Sequence, residues 1–157
     1  EKFPDSKILY IVRDPLSVLP SGLSLVTGVL DKRFGFWIQP EGKRNHFIHR
    51  LYTGLVQLLL RFHSDWTSGK IDKSKVMIVP FDRMMGDFDH LMIEIIEFID
   101  HPISEDLKKD ILETAEKQRK FKSKHKYDLE KFGLSEKQII EDCKPIYDTF
   151  FKSIETV

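Results

Sequence analysis

Residues 8–12, Ile-Leu-Tyr-Ile-Val, are an unbroken apolar run that stops abruptly at Arg13-Asp14-Pro15. A short run rich in β-branched and aromatic residues, with no alternating polar positions, predicts a strand covered on both faces, as in a parallel sheet. A central strand is therefore expected here. The stretch VMIVPF, residues 76–81, repeats the pattern with Pro80 near its end and predicts a second parallel strand.

Between and after these strands the apolar spacing is helical. Pro15 suits the first turn of a helix, whereas Pro20 would interrupt a helix interior, so the main helix is expected from about Pro20-Ser21 towards Leu30. That places Ser21 near a helix N-terminus. Residues 31–45 mix Gly, Pro and charge with Phe34, Phe36 and Trp37, which predicts a long loop with aromatic anchors. Phe47, Leu51, Leu55, Leu58, Leu59 and Phe62 predict a long helix from His46 to about Trp66, closed by Gly69. Phe88, Leu91, Met92, Ile95, Phe98 and Ile99 form the stripe of another, stopped by His101-Pro102. Ser104 is an expected N-cap, with Glu105 and Asp106 behind it, for a helix reaching about Lys117. Ser135-Glu136-Lys137-Gln138 is a capping box that opens the last helix. Strand, helix, strand, helix in this order predicts an α/β fold.

Composition limits the partners. The chain has 157 residues, 41% of them apolar, enough for a single domain, residues 1–157, around one core. Lys plus Arg and Asp plus Glu number 25 each, so no global field recruits nucleic acid or an anionic membrane, and any anion site must be local. No apolar run approaches the roughly 20 residues of a membrane helix, and no signal peptide is recognisable. Cys143 is the sole cysteine. It predicts a buried thiol rather than a disulfide or thiolate metal cluster, and suits a reducing, cytoplasmic setting. The chain opens on Glu1 almost directly before a strand, so an upstream portion is expected.

In open parallel sheets, ligands bind at the carboxyl ends of the strands. Arg13 lies at that edge, and its planar fork suits a phosphate; a Ser21 hydroxyl beside free helix N–H groups would add donors. The alternative is that Arg13 pairs with a carboxylate and Ser21 only caps its helix. His46, His49 and His63 lack the spacing of a metal site, and no metal is expected. Asp82 and Arg83 are expected to form a strand-end cap or ion pair, Met84 and Met85 to pack, and Trp37 and Trp66 to anchor loops or line an acceptor pocket. Lys117, Arg119, Lys120, Lys122, Lys124 and Lys126 form a basic run that is either solvated or closes over a bound anion.

The stretch Tyr10-Ile11-Val12-Arg13-Asp14-Pro15, with Ser21 eight residues after the arginine, resembles the 3′-phosphate-binding segment of sulfotransferases that use 3′-phosphoadenosine-5′-phosphosulfate (PAPS). VMIVPFDRMMGDFDHLMIEIIEFI resembles the family's later strand and helix, with Phe81-Asp82 where an aromatic-acidic pair is usual. KSKHKYDLEKFGLS, residues 122–135, resembles the tail of bacterial-type members. The resemblance implies a P-loop nucleotide-kinase-like parallel sheet flanked by helices, incomplete at its N-terminal side. It implies PAPS as sulfuryl donor and a hydroxyl or amine acceptor. Arg13 and Ser21 would grip the 3′-phosphate, Phe81 would give an apolar adenine contact, and Lys122, Ser123 and Lys124 would close over the cofactor. The family's 5′-phosphosulfate loop and catalytic base lie upstream of the Arg-Ser segment, so this chain is expected to be the C-terminal part of such a domain, inactive alone. A nucleotide or sugar kinase of similar topology and a non-catalytic interaction domain are the alternatives.

Overall fold

The computed structural model describes residues 5–120 and 128–151. In chain order it contains β1 (Ile8–Val12), α1 (Pro15–Phe34), α2 (Glu41–Thr67), β2 (Val76–Pro80), α3 (Phe81–Gly86), α4 (Phe88–Phe98), α5 (Glu105–Lys120), α6 (Glu136–Asp142) and α7 (Lys144–Phe150), with short 3-10 turns between. The fold is mixed α/β, mostly helical, with a small parallel sheet. It divides into two compact units, Glu1–Arg13 with Ile71–Lys124 and Asp14–Lys70 with His125–Val157, called here the sheet unit and the helical unit.

In the sheet unit, β1 and β2 pair in parallel from Ile8 opposite Val76 to Val12 opposite Pro80. Both expected strands are present and parallel. The expectation of a covered central strand fails: Ile8, Leu9 and Ile11 are 49%, 41% and 51% exposed, and only Val12 is buried. The reason is that, among the described residues, the sheet has two strands and β1 pairs with β2 alone. A run that could be covered on both faces is left open.

Pro80 ends β2 and Phe81 at once begins α3, a short helix the sequence pattern did not reveal. The stripe of α4 buries Leu91 and Ile96, and the helix stops before Asp100, whose φ is +57°. Ser104 caps α5 as expected, its Oγ accepting from the Leu107 N–H at 3.2 Å, but the helix continues to Lys120, three residues past the expected end. Lys7 donates to the Phe98 carbonyl and pairs with Asp100, tying the approach to β1 to the end of α4.

The helical unit corrects the reading of Pro20. Helix α1 starts at Pro15, where Asp14 caps it: Oδ1 accepts from the Leu16 N–H at 2.9 Å, and the Asp14 carbonyl accepts from Ser17 and Val18. The helix then runs through Pro20. Proline has no N–H to offer the Leu16 carbonyl, a local loss of about 3 kcal/mol in an exposed helix, but its ring is fully buried in the unit and its burial offsets part of that. Most of residues 31–45 is likewise helical rather than loop. Helix α1 extends to Phe34 and ends at Gly35, whose φ of +60° lets its N–H reach the Asp31 carbonyl at 2.9 Å, the left-handed cap glycine adopts without a Cβ clash. Then α2 begins at Glu41, five residues before the expected start.

The core of this unit joins Leu19 and Leu23 of α1, Ile48, Tyr52 and Val56 of α2, and Phe132, Ile139, Cys143 and Ile146. Gly22 makes the close approach possible, since a Cβ there would lie 3.0 Å from Leu55 Cδ1. The expected last helix divides at Cys143 into α6 and α7, with Pro145 in the first turn of the second, where its missing N–H is tolerated. Ser135 caps α6, accepting from the Gln138 N–H at 3.2 Å. Tyr52 donates to Asp142 at 2.7 Å and Tyr147 to Asp14 at 2.6 Å, so both phenols are held against ionisation, first by burial and then by these carboxylates. Cys143 is completely buried, and burial, reinforced by the nearby Asp142 and Asp14 charges, pushes its thiol up to about 11. Among the described residues no helix is long and apolar enough to cross a membrane.

Candidate functional site: the carboxyl edge of the parallel strands

Val12 and Pro80 are register partners at the last positions of β1 and β2. The residues that follow them, Arg13 and Phe81, therefore leave the sheet from the same edge. The structure brings the two together: the guanidinium carbon of Arg13 lies 4.4 Å from the centroid of the Phe81 ring. Both side chains are half-buried. No carboxylate pairs with Arg13 among the described residues, so the ion-pair alternative is not what the structure contains. A guanidinium held against an aromatic face is oriented by the ring while the N–H donors in its plane remain free to fork onto an anion.

Arg83, two residues after Phe81, is the contrasting case. Its Nη1 and Nη2 each donate to a carboxylate oxygen of Glu94 at 2.7 Å, and Nη2 also reaches Asp87 at 2.7 Å. The expected pairing with Asp82 does not occur, because the short helix α3 directs Arg83 to acids three or more residues further along. Glu94 first and Asp87 second hold the guanidinium firmly in its charged form, and Arg83 in turn holds both carboxyls below their usual range. His90 hydrogen-bonds Asp87 at 2.7 Å and is pushed above the ordinary histidine value by it. Asp87, Asp89 and His90 place ligand-type atoms within 4.8 Å of one another, but Asp87 and Asp89 are engaged by Arg83 and Arg119, the latter at 2.7 Å. This group neutralises a surface; Arg13, at the strand edge, has no acidic partner among the described residues.

A family model described as a sulfotransferase domain matches residues 2–146. The chain belongs to the sulfotransferase domain family. No curated protein and no solved structure matches it. This sulfotransferase is thus a transferase by family, and the strand-edge arginine lies in the segment whose sequence carried the resemblance.

The remaining candidate residues of the sulfotransferase are placed as follows. Ser21 lies in the second turn of α1, in the helical unit and half-buried, not at the helix N-terminus. The amide donors at that N-terminus are already taken by Asp14, which removes the N-terminal cradle from the sequence-based reading and leaves only the Ser21 hydroxyl as a possible donor. Lys122, Ser123 and Lys124 lie outside the described residues. Of the basic run, Lys117, Arg119 and Lys120 form the last turn of α5, where cations suit the helix dipole, and Arg119 is engaged by Asp89. Met84 lines an apolar pocket together with Leu9, Ile11 and Val79. Trp37 packs edge-on to Phe36 at 5.0 Å and Trp66 stacks with Phe62 at 6.0 Å, as anchors. His63 shares a hydrogen bond of 2.9 Å with Thr149.

Proposed function

We propose that this chain is the C-terminal part of a single sulfotransferase domain of the P-loop nucleotide-kinase-like class, and that the complete domain transfers a sulfuryl group from PAPS to a hydroxyl or amine acceptor. The observation that carries the proposal is Arg13: a half-buried guanidinium with no carboxylate partner among the described residues, set on an aromatic ring at the carboxyl end of two parallel strands. That donor set fits a phosphate, which accepts from two guanidinium N–H groups at once. PAPS would supply the sulfuryl group and a good leaving phosphate. Arg13 would hold the 3′-phosphate with the Ser21 hydroxyl, Phe81 would give the adenine an apolar contact, and Lys122, Ser123 and Lys124 would close over the 3′-phosphate.

The open face of β1 supports the reading of an incomplete sheet, because Ile8, Leu9 and Ile11 carry apolar area that a further strand or helix of the domain would cover. The 5′-phosphosulfate loop and catalytic base are assigned to that additional part. Calorimetric titration of the protein with adenosine 3′,5′-bisphosphate tests the assignment of Arg13. Arg13→Ala should weaken binding by about 1.5–3 kcal/mol, the loss of charge-assisted hydrogen bonds. An unchanged affinity would remove Arg13 from the site and with it the support for the proposal.

A further inference from the structure

The N-terminal half of α2 is unusually basic for its place in a helix. Helix N-termini favour acids, yet in residues 41–50 Glu41 is the single acid, against Lys43, Arg44, Arg50 and two histidines. Arg44 is accounted for, its Nη1 donating to the Trp37 carbonyl at 2.9 Å. Lys43, His46 and Arg50 are exposed and have no acidic or hydrogen-bonding partner among the described residues. At the other end of the same helix and just beyond it the cations are paired, Arg61 with Asp65 at 2.8 Å and Lys70 with Asp65 at 3.4 Å.

Lys43, His46 and Arg50 share one face with two apolar residues. Positions 43, 46, 47, 50 and 51 follow the i, i+3, i+4, i+7, i+8 spacing of a single helix stripe, and together they line a groove of about 520 Å³ with no acid among its described lining. Phe47 and Leu51, its apolar part, are half-buried and packed on the core of the helical unit, which holds them in place. We propose that this groove binds a small amphiphile with one anionic head on an apolar body, the head meeting Lys43, His46 and Arg50 and the body lying on Phe47 and Leu51. The site uses none of the residues assigned to the donor, so it stands or falls separately from the reading of Arg13.

The test is a calorimetric titration of the protein with 4-butylphenyl sulfate, alongside 4-butylphenol, inorganic sulfate and vesicles of phosphatidylglycerol, with amide chemical shifts mapped by NMR. The aryl sulfate should bind with shifts centred on residues 43–51, more tightly than either the phenol or sulfate alone. The double variant Lys43→Gln, Arg50→Gln should lose about fivefold or more in affinity, the worth of two partly exposed ion pairs, with an unchanged thermal melt. Equal binding by the double variant, sulfate as good a ligand as the aryl sulfate, shifts centred elsewhere, absence of binding, or binding to vesicles alone would each overturn the proposal.

Discussion

The two units of this sulfotransferase hold themselves together differently. In the helical unit Leu19, Leu23, Ile139 and Cys143 are at most 1% exposed, and the polar groups at the margin of that core, Tyr52 and Tyr147, each end on a carboxylate. In the sheet unit the apolar cover is partial: Val79, Leu91 and Ala115 are buried, but three residues of β1 face outward, and the helices are linked at their surface by the Arg83, Asp87, Glu94 and His90 group and the Arg119–Asp89 pair. Packing is indifferent to salt and moderate pH, whereas half-exposed ion pairs respond to both. The strand that leads to Arg13 is thus less completely covered than the core of the helical unit.

The largest test of this contrast is a pair of truncations. Leu23→Ala should cost about 2–5 kcal/mol in chemical denaturation, since it leaves a cavity in a closed core, while Ile11→Ala should cost less than about 1 kcal/mol because half of that side chain is already in water. Equal losses would show that β1 is as well covered as the helical core and would break the comparison. Next in size is alkaline sensitivity. The Cys143 thiol is raised from 9.0 to about 11 in the folded chain, so its contribution is fully present below pH 9 and declines as pH rises from 9 towards 11, by about 2–3 kcal/mol. Denaturation midpoints of wild type and Cys143→Ala followed from pH 8 to 11 should converge over that window; parallel curves would mean the thiol does not titrate against burial.

The smallest effect belongs to the surface group. Asp87 and Glu94 are held below the usual carboxylate range by Arg83, so their contribution is present above that range and disappears as pH falls through their depressed values. His90 works in the opposite sense: raised by Asp87, it contributes below the ordinary histidine value and loses this as pH rises through its raised one. The destabilisation of Arg83→Gln should therefore be visible near neutrality, shrink in high salt and vanish in strong acid. A difference from wild type that survives both conditions would mean that Arg83 acts through its aliphatic stem and not its charge.

Local patterns in the chain anticipate a good part of this architecture. Continuous apolar runs located both strands; Ser104 and Ser135 announced the starts of α5 and α6, because a side-chain cap is a contact between residues three apart. The same patterns misjudged Pro20, the 31–45 segment and the last helix. The misplaced start of α2 also concealed the groove: with Lys43 assigned to a loop, its position on the face of His46 and Arg50 could not be seen. For the candidate site, Arg13 and Phe81 were each legible as residues ending a strand, but not as neighbours.

By itself, then, the sequence determined where the strands and the Ser104 and Ser135 caps lie, the absence of any long apolar membrane run, and the family through the Tyr10–Pro15 segment and its companions. These are properties of periodicity and short-range chemistry. Only the tertiary structure decided that a helix continues through Pro20, that β1 remains open, and that Arg13 rests on Phe81 while Arg83 is bound by two acids. Each of those outcomes depends on which distant side chains fill the space beside a residue. That is set by packing and pairing energies summed over the fold, which no window of neighbouring positions contains.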